Sequence, residues 1–199
     1  MNLRILWLAA LAALSLCLSG CVAVPHVWAK TDANTYSPPS EGYAVTLPQG
    51  WLDYSLPDWT VTLLTRHGSD LDSIRIIRYE NDKAFPDTKK GATPGENPGQ
   101  LADDMMAEIK AETGISAFQV ITNEPATLGG QNGVHLVTEF SDTEGVHYRQ
   151  EDYLVCNAVG TYLVTFRAPV LHFYDLYHPA FQATVGSFKF VPVTTAHKG

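Results

Sequence analysis

Three stretches decide the fold: Val134-His-Leu-Val-Thr-Glu-Phe140, Val146-His-Tyr-Arg-Gln-Glu-Asp-Tyr-Leu-Val155 and Thr161-Tyr-Leu-Val-Thr-Phe-Arg167. Each is rich in β-branched and aromatic residues, which suit a pleated surface. Between them stand Asp142-Thr-Glu-Gly145 and Asn157-Ala-Val-Gly160, both of turn composition. Strands joined by such short turns pair antiparallel, so the three form a meander. The first strand carries Val134, Leu136 and Phe140 on one side and Val137 on the other. A sheet that is apolar on both faces needs cover on both faces.

Two helices are available to supply it. Asn97-Pro98 opens the first, with Asn as N-cap and Pro in the first turn. Leu101, Met105 and Ile109 recur every fourth residue beside Ala102 and Met106, forming one apolar stripe. Asp103 and Asp104 fall in the early turns, where the helix dipole favours negative charge, and Gly114 is expected as a left-handed cap. The second stripe is Phe173, Tyr177, Phe181 and Val185; Pro179 within it predicts a kink, or a restart capped by His178.

Further strands are expected over Tyr43–Leu47, 59–65, Ser73–Tyr79, 118–122 and 187–190, with a short one over 126–128. In Ser73–Tyr79, Ile74 and Ile76 face one way, Arg75 and Ile77 the other. The polar stretch from Glu80 to Glu96 is expected to hold no regular element and to act as a solvated connection. The economical arrangement is an α+β fold, an α/β/α sandwich on an antiparallel sheet.

Particular residues sharpen this. Gly42-Tyr-Ala-Val-Thr-Leu-Pro-Gln-Gly-Trp51 resembles the opening of PsbP-like domains, and Tyr162-Leu-Val-Thr-Phe-Arg-Ala-Pro169 with Val185-Gly-Ser-Phe188 resembles their ending. The resemblance spans about residues 42–190. It implies the fold shared by a photosystem II extrinsic subunit, a nuclear-import factor that binds a small GTPase, and many small bacterial proteins. It implies protein binding more than catalysis, although a fold by itself transfers no activity.

The first residues speak to location. Met1-Asn-Leu-Arg4 precedes an almost wholly apolar run from Ile5 to Leu18, the length of a secretory signal and short for a membrane span. Leu18-Ser-Gly-Cys21 resembles the bacterial lipobox. By that resemblance residues 1–20 are a lipoprotein signal peptide, and Cys21 is the lipid-attachment residue, carrying diacylglycerol and an amide-linked acyl chain such as palmitate. Cys17 follows Ser15-Leu16, which does not fit a cleavage site, and is discarded with the signal. Two or three fatty chains hold a protein stably at a membrane. Val22 stands where an inner-membrane retention signal of the enterobacterial kind would place Asp, so the outer membrane is favoured in a source that has one, and otherwise the outer face of the plasma membrane. Residues 21–41, ending in Pro38-Pro39-Ser40, are expected as lipidated N-terminus and tether, 42–190 as a single domain, and 191–199 as a tail.

The 199-residue chain has a net charge of −8, which moves to −9 when the segment containing Arg4 is lost. Such a charge repels phosphate backbones and argues against a nucleic-acid partner. Catalytic motifs are missing: there is no Gly-x-Ser-x-Gly, His-Glu-x-x-His or Cys-x-x-Cys. Gly129-Gly-Gln-Asn-Gly133 precedes a strand rather than a helix, so it reads as a turn and not a phosphate loop. Cys156 reads as a small buried apolar residue.

The meander holds the one suggestive group: His135 and Glu139 on one strand, His147, Arg149 and Glu151 on the next. A three-residue turn would pair Ser141 with Gly145, setting Glu139 against His147 and His135 against Glu151 on one face. A turn one residue shorter or longer would send them to opposite faces. If assembled, the group is either a set of cross-strand ion pairs or a carboxylate–imidazole site able to bind a metal or move a proton. The resulting expectation is a membrane-anchored envelope lipoprotein of non-catalytic binding or assembly type, engaging a protein partner and needing no cofactor. The alternative is an envelope metal-binding protein or hydrolytic enzyme using the His135/Glu139/His147/Glu151 group.

Overall fold

A computed structural model describes residues 28–55 and 60–193. Strands β1 (Ala29–Lys30), β2 (Thr35–Tyr36), β3 (Tyr43–Thr46), β4 (Leu52–Asp53), β5 (Val61–Thr65) and β6 (Ser73–Tyr79) come first. Helix α1 (Pro98–Ala111) follows, then β7 (Ser116–Leu128), β8 (Gln131–Ser141), β9 (His147–Cys156) and β10 (Thr161–Pro169). Helix α2 (Phe173–Ser187) and β11 (Lys189–Phe190) complete the fold.

The meander forms as its sequence predicts, and with β7 it makes one half of an eight-stranded antiparallel sheet ordered β1-β4-β5-β6-β10-β9-β8-β7. A smaller sheet, β11-β3-β2, lies beside it. Its turns follow from their residues. Gly129 and Gly130 have φ of 57° and 80° and join Leu128 to Gln131 in a two-residue hairpin, a geometry that requires left-handed backbone at both positions. Asn157 Oδ1 accepts hydrogen bonds from the backbone N–H of Val159 (2.8 Å) and Gly160 (3.3 Å) between β9 and β10.

Each face is covered by one helix. On one side Leu101, Ala102, Met105 and Ile109 of α1 pack with Val134, Leu136 and Phe140 of β8, Leu154 of β9 and Leu163 of β10. On the other, Phe181 of α2 packs with Tyr43, Trp51, Ile74, Ile76, Val164 and Phe166. The architecture is therefore the expected α+β sandwich, and the alternation of Ile74 and Ile76 against Ile77 falls on the expected faces. Asn97 caps α1 through its side chain, which accepts from Gly99 N at 2.8 Å.

Several elements depart from expectation. The folded unit begins ahead of Gly42: β1 pairs with β4, β2 pairs with β3, and Thr31 is buried, so residues 29–41 belong to the domain rather than to a tether. Short pairings of two residues leave no periodicity for a sequence pattern to show. The strands expected at 118–122 and 126–128 are one thirteen-residue strand, β7. Pro125 is tolerated because β7 is an edge strand, where a missing N–H breaks no ladder.

The stretch from Glu80 to Glu96 is not a solvated connection. It holds a 3-10 turn at Asn81–Lys83 and a bridge between Phe85 and Lys90, and it buries Ala84, Phe85 and Ala92 in the α1-side core. One aromatic anchor among seventeen mostly polar residues is enough to order it. Glu108 of α1 ties it down further, accepting from the backbone N–H of Asp87 (2.7 Å) and Thr88 (2.8 Å). Gly114 has φ of 87° but lies two residues past the extended cap Glu112, so it shapes the following turn instead of capping α1. Helix α2 runs through Pro179 without restarting at His178.

Candidate functional site

The turn between β8 and β9 spans residues 142–146 and pairs Ser141 with His147. That is two residues longer than the three-residue turn expected. Asp142 Oδ1 holds it, accepting from Glu144 N and Val146 N, both at 2.9 Å. Glu139 now lies opposite Arg149, and Glu151 opposite Val137. A two-residue shift preserves the face, because side chains alternate with a period of two. The expected partners therefore still meet, diagonally: His135 Nε2 to Glu151 Oε1 at 2.9 Å, and His147 Nε2 to Glu139 Oε2 at 2.9 Å.

Helix α2 completes the group with residues that the sequence did not suggest. Tyr174 OH donates to Glu151 Oε2 at 2.6 Å, His178 Nε2 meets the same oxygen at 2.8 Å, and Gln182 Nε2 donates to Oε1 at 2.6 Å. Their spacing of four along the helix is the available signal, hidden because the apolar stripe of α2 drew attention to other positions. His135 uses its second nitrogen as well, with Nδ1 3.0 Å from Glu124 Oε1 on β7, and its ring stacks on Tyr153 with centroids 4.6 Å apart. An imidazole flanked by two carboxylates satisfies both only as the cation. The hydrogen bond to Glu151 accordingly raises the pKa of His135, with help from Glu124 and against burial. Burial pushes the Glu151 carboxyl up, but hydrogen bonds from His135 and Tyr174 outweigh it and leave the group below its ordinary range.

The second pair joins the first through an arginine. Arg149 donates from Nε to Glu139 Oε1 at 2.8 Å, and its guanidinium lies 4.8 Å from the centre of the Tyr174 ring. The result is a closed network of ion pairs. Glu151 accepts hydrogen bonds from His135, Tyr174 and Gln182 and faces His178, and both ring nitrogens of His135 are turned to carboxylates. Among the described residues no three His, Cys, Asp or Glu side chains are grouped to hold a metal ion. The geometry favours the ion-pair reading of the cluster over the carboxylate–imidazole site.

His172 and Cys156 lie apart from this cluster. His172 precedes α2 with φ of 77° and packs on Phe173. Cys156 is buried, its Sγ 3.4 Å from Asn81 Oδ1, and burial raises its thiol pKa. Cys21 and Cys17 lie outside the described residues.

A second polar group sits on the α1 face of the sheet, where sequence reasoning placed only core. Neighbouring strands align Arg75, Thr165 and Asp152 in one row, and Ser73, Arg167 and Gln150 in the next. Gln150 Nε2 donates to both oxygens of Asp152, at 3.0 and 2.9 Å. Arg167 donates from Nε to Gln150 Oε1 at 2.7 Å and grips Glu112 at the end of α1 with two bonds of 2.8 and 2.7 Å. Complete burial raises the Asp152 pKa to about 6, with Gln150, Thr165 and Arg167 pulling the other way. Beside this chain, a cavity of about 230 Å³ opens between the sheet and α1, lined by both arginines. The available signal was Arg75 itself, which shares its strand face with Ile77.

No protein-family model matches the chain, and no curated protein matches it in sequence. Solved structures do match. A Bacteroides thetaiotaomicron protein is 12% identical with a TM-score of 0.46, covering 83% of this chain, which spans 50% of that protein's length. A point mutant of the protein Mog1 is 12% identical with a TM-score of 0.52, over 82% of this chain and 97% of that one. The solution structure of cyanobacterial PsbP (CyanoP) from Synechocystis sp. PCC 6803 is 15% identical with a TM-score of 0.53, over 87% of this chain and 99% of that one. At these identities the likeness is one of fold, and the fold is PsbP-like.

Proposed function

We propose that this chain is a non-catalytic binding domain held at a cell-envelope membrane by a lipid on Cys21, where it engages a protein partner. The observation that carries the binding reading is the closed His135–Glu151 network: its ionisable groups are spent on one another, which supports a scaffold role. Anchoring rests on Leu18-Ser-Gly-Cys21 behind an apolar run. Among the described residues no helix is long and apolar enough to cross a membrane. The following Val22 favours the outer membrane where the source has one. Exposed Val120 and Ile121 on edge strand β7, and Leu171 and Leu176 at the start of α2, are apolar surface of a kind that protein partners cover.

Fractionation tests the anchor. Cys21→Ala is expected to move the protein from the membrane fraction to the soluble one, and retention in the membrane would overturn the lipid assignment. Capture of partners from solubilised membranes with the anchored protein tests the binding reading. A single protein retained by wild type and lost on Ile121→Asp supports it, and a purified protein that turns over envelope esters or peptides would refute it.

A further inference from the structure

We propose that the cavity between the sheet and α1 binds a small organic ligand through one carboxylate group, with the Arg75 guanidinium as its anchor. The other described arginines have acceptors: Arg66 donates to the Gly50 carbonyl, and Arg78, Arg149 and Arg167 pair with Glu41, Glu139 and Glu112. Arg75 makes no hydrogen bond or ion pair among the described residues, yet burial and the neighbouring Arg167 lower its pKa. A guanidinium offers five N–H donors in a planar fork and stays charged in proteins. Holding it half-buried without an acceptor is unfavourable, and that cost persists in the free protein.

Asp87 lines the cavity as well but forms no ion pair with Arg75, and the other carboxylates nearby are committed elsewhere. Glu112 grips Arg167, Asp152 accepts from Gln150, and Glu108 accepts from the backbone of the 80–96 stretch. Around Arg75 itself the unpaired groups are donors. Ser73, only 1% exposed, has a hydroxyl oxygen with no hydrogen-bond partner, and it lines the cavity beside Arg75. Thr165, also lining it, lies near enough to Asp152 to steady that carboxylate but completes no hydrogen bond of ordinary geometry. The Ser73 hydroxyl and a planar fork lack an acceptor with two oxygens, and a carboxylate supplies one.

Charge and shape narrow the class. Ile77, Met105, Ile109 and Leu163 form apolar walls that suit a short hydrocarbon or aromatic body. An adjoining cavity of about 430 Å³ shares Arg75, Glu112 and Arg167 and is rimmed by Asp70, Asp142 and Glu144. That acidic rim and the net charge of −8 disfavour phosphate and polyanions and leave a monoanion as the fitting ligand.

The experiment titrates the purified protein with hexanoate and benzoate, with hexanamide and benzamide as uncharged counterparts and inorganic phosphate as a competing anion. Melting temperature and calorimetric heat are the readouts. The expected result is saturable stabilisation by the carboxylates and none by the amides or phosphate. Arg75→Gln is expected to lower carboxylate affinity about tenfold or more, the range of a lost charged hydrogen bond. It removes an unpaired half-buried charge, so its melting temperature without ligand is expected to stay at or above that of wild type. Ser73→Ala, which removes one hydroxyl, is the second variant and is expected to weaken binding several-fold. Equal stabilisation by amides, no response to either carboxylate at millimolar concentration, or unchanged affinity in a folded Arg75→Gln protein would each overturn the proposal. If Arg75→Gln does not fold, unchanged affinity in Ser73→Ala overturns it. The membrane fractionation above reads a different property, so failure of the anchor leaves this result standing.

Discussion

Replacing Glu151 by alanine removes the acceptor shared by His135, His178, Tyr174 and Gln182. The Glu151 side chain is 3% exposed and that of His135 16%. Removing one partner of a buried ion pair costs about 3–5 kcal/mol, because the other charge stays behind. His178 is 37% exposed and can turn toward solvent, and His135 keeps Glu124, so the lower end of that range applies, about 3 kcal/mol. Against a typical domain stability of about 5–15 kcal/mol this is a large fraction.

The cost depends on pH with a definite sign. The folded-state pKa of His135 is raised, so its contribution is fully present below the ordinary histidine value of about 6.5 and is lost as pH rises through the raised one. The pKa of Glu151 is lowered, so its contribution is present above the ordinary value of about 4.3 and is lost as pH falls through the lowered one. Both are in force between roughly pH 4.5 and 6.5. Urea denaturation followed by tryptophan fluorescence, with buried Trp51 as a core reporter, measures the difference. The gap between wild type and Glu151→Ala is expected to be widest near about pH 5.5 and to narrow by about pH 8.5. Glu151→Gln, which keeps the shape but not the charge, is expected to lose less stability and to lose the pH dependence. A gap below about 1 kcal/mol, or one that is equal at both pH values, would refute the closed-network account.

Two further predictions concern the frame around the site. At Gly133 an added Cβ would lie 2.1 Å from the Leu154 carbonyl oxygen on the adjoining strand, so Gly133→Ala is expected to cost about 2 kcal/mol or more. Gly130→Ala, in open space with φ of 80°, is expected to cost only the left-handed penalty of about 1–2 kcal/mol; thermal melts that rank Gly130→Ala as the worse variant would contradict the pairing of β8 with β9. Phe85, 1% exposed, is the anchor of the 80–96 stretch, and Phe85→Ala is expected to cost about 3–5 kcal/mol and to open Lys89–Lys90 to trypsin; an unchanged digestion pattern would argue against the packed loop.

Periodicity carried most of the fold. The i+4 stripe of Leu101, Met105 and Ile109 and the two-faced apolar strands of the meander are local patterns, and both sit where their spacing puts them. What escaped was held by few residues or by distant ones. Strands β1 and β2 are two residues each and exist through pairing with β4 and β3. The 80–96 stretch is ordered by Phe85 and by carboxylate contacts from Glu108, neither of which shows as a repeat. The β8–β9 turn is two residues longer than its composition suggests, yet the cluster assembles, because the difference is even and the pleat has a period of two.

By itself the sequence determined the layered α+β architecture, the acidic surface and the N-terminal Leu18-Ser-Gly-Cys21 pattern, because each depends on local spacing, composition or a contiguous motif. Tertiary structure decided what the polar residues do. Helix α2 brought Tyr174, His178 and Gln182 onto Glu151 and closed that network, while β6 and β10 set Arg75 and Arg167 side by side over a cavity. Which buried charges find partners is settled by contacts between segments tens of residues apart, and no local pattern records them.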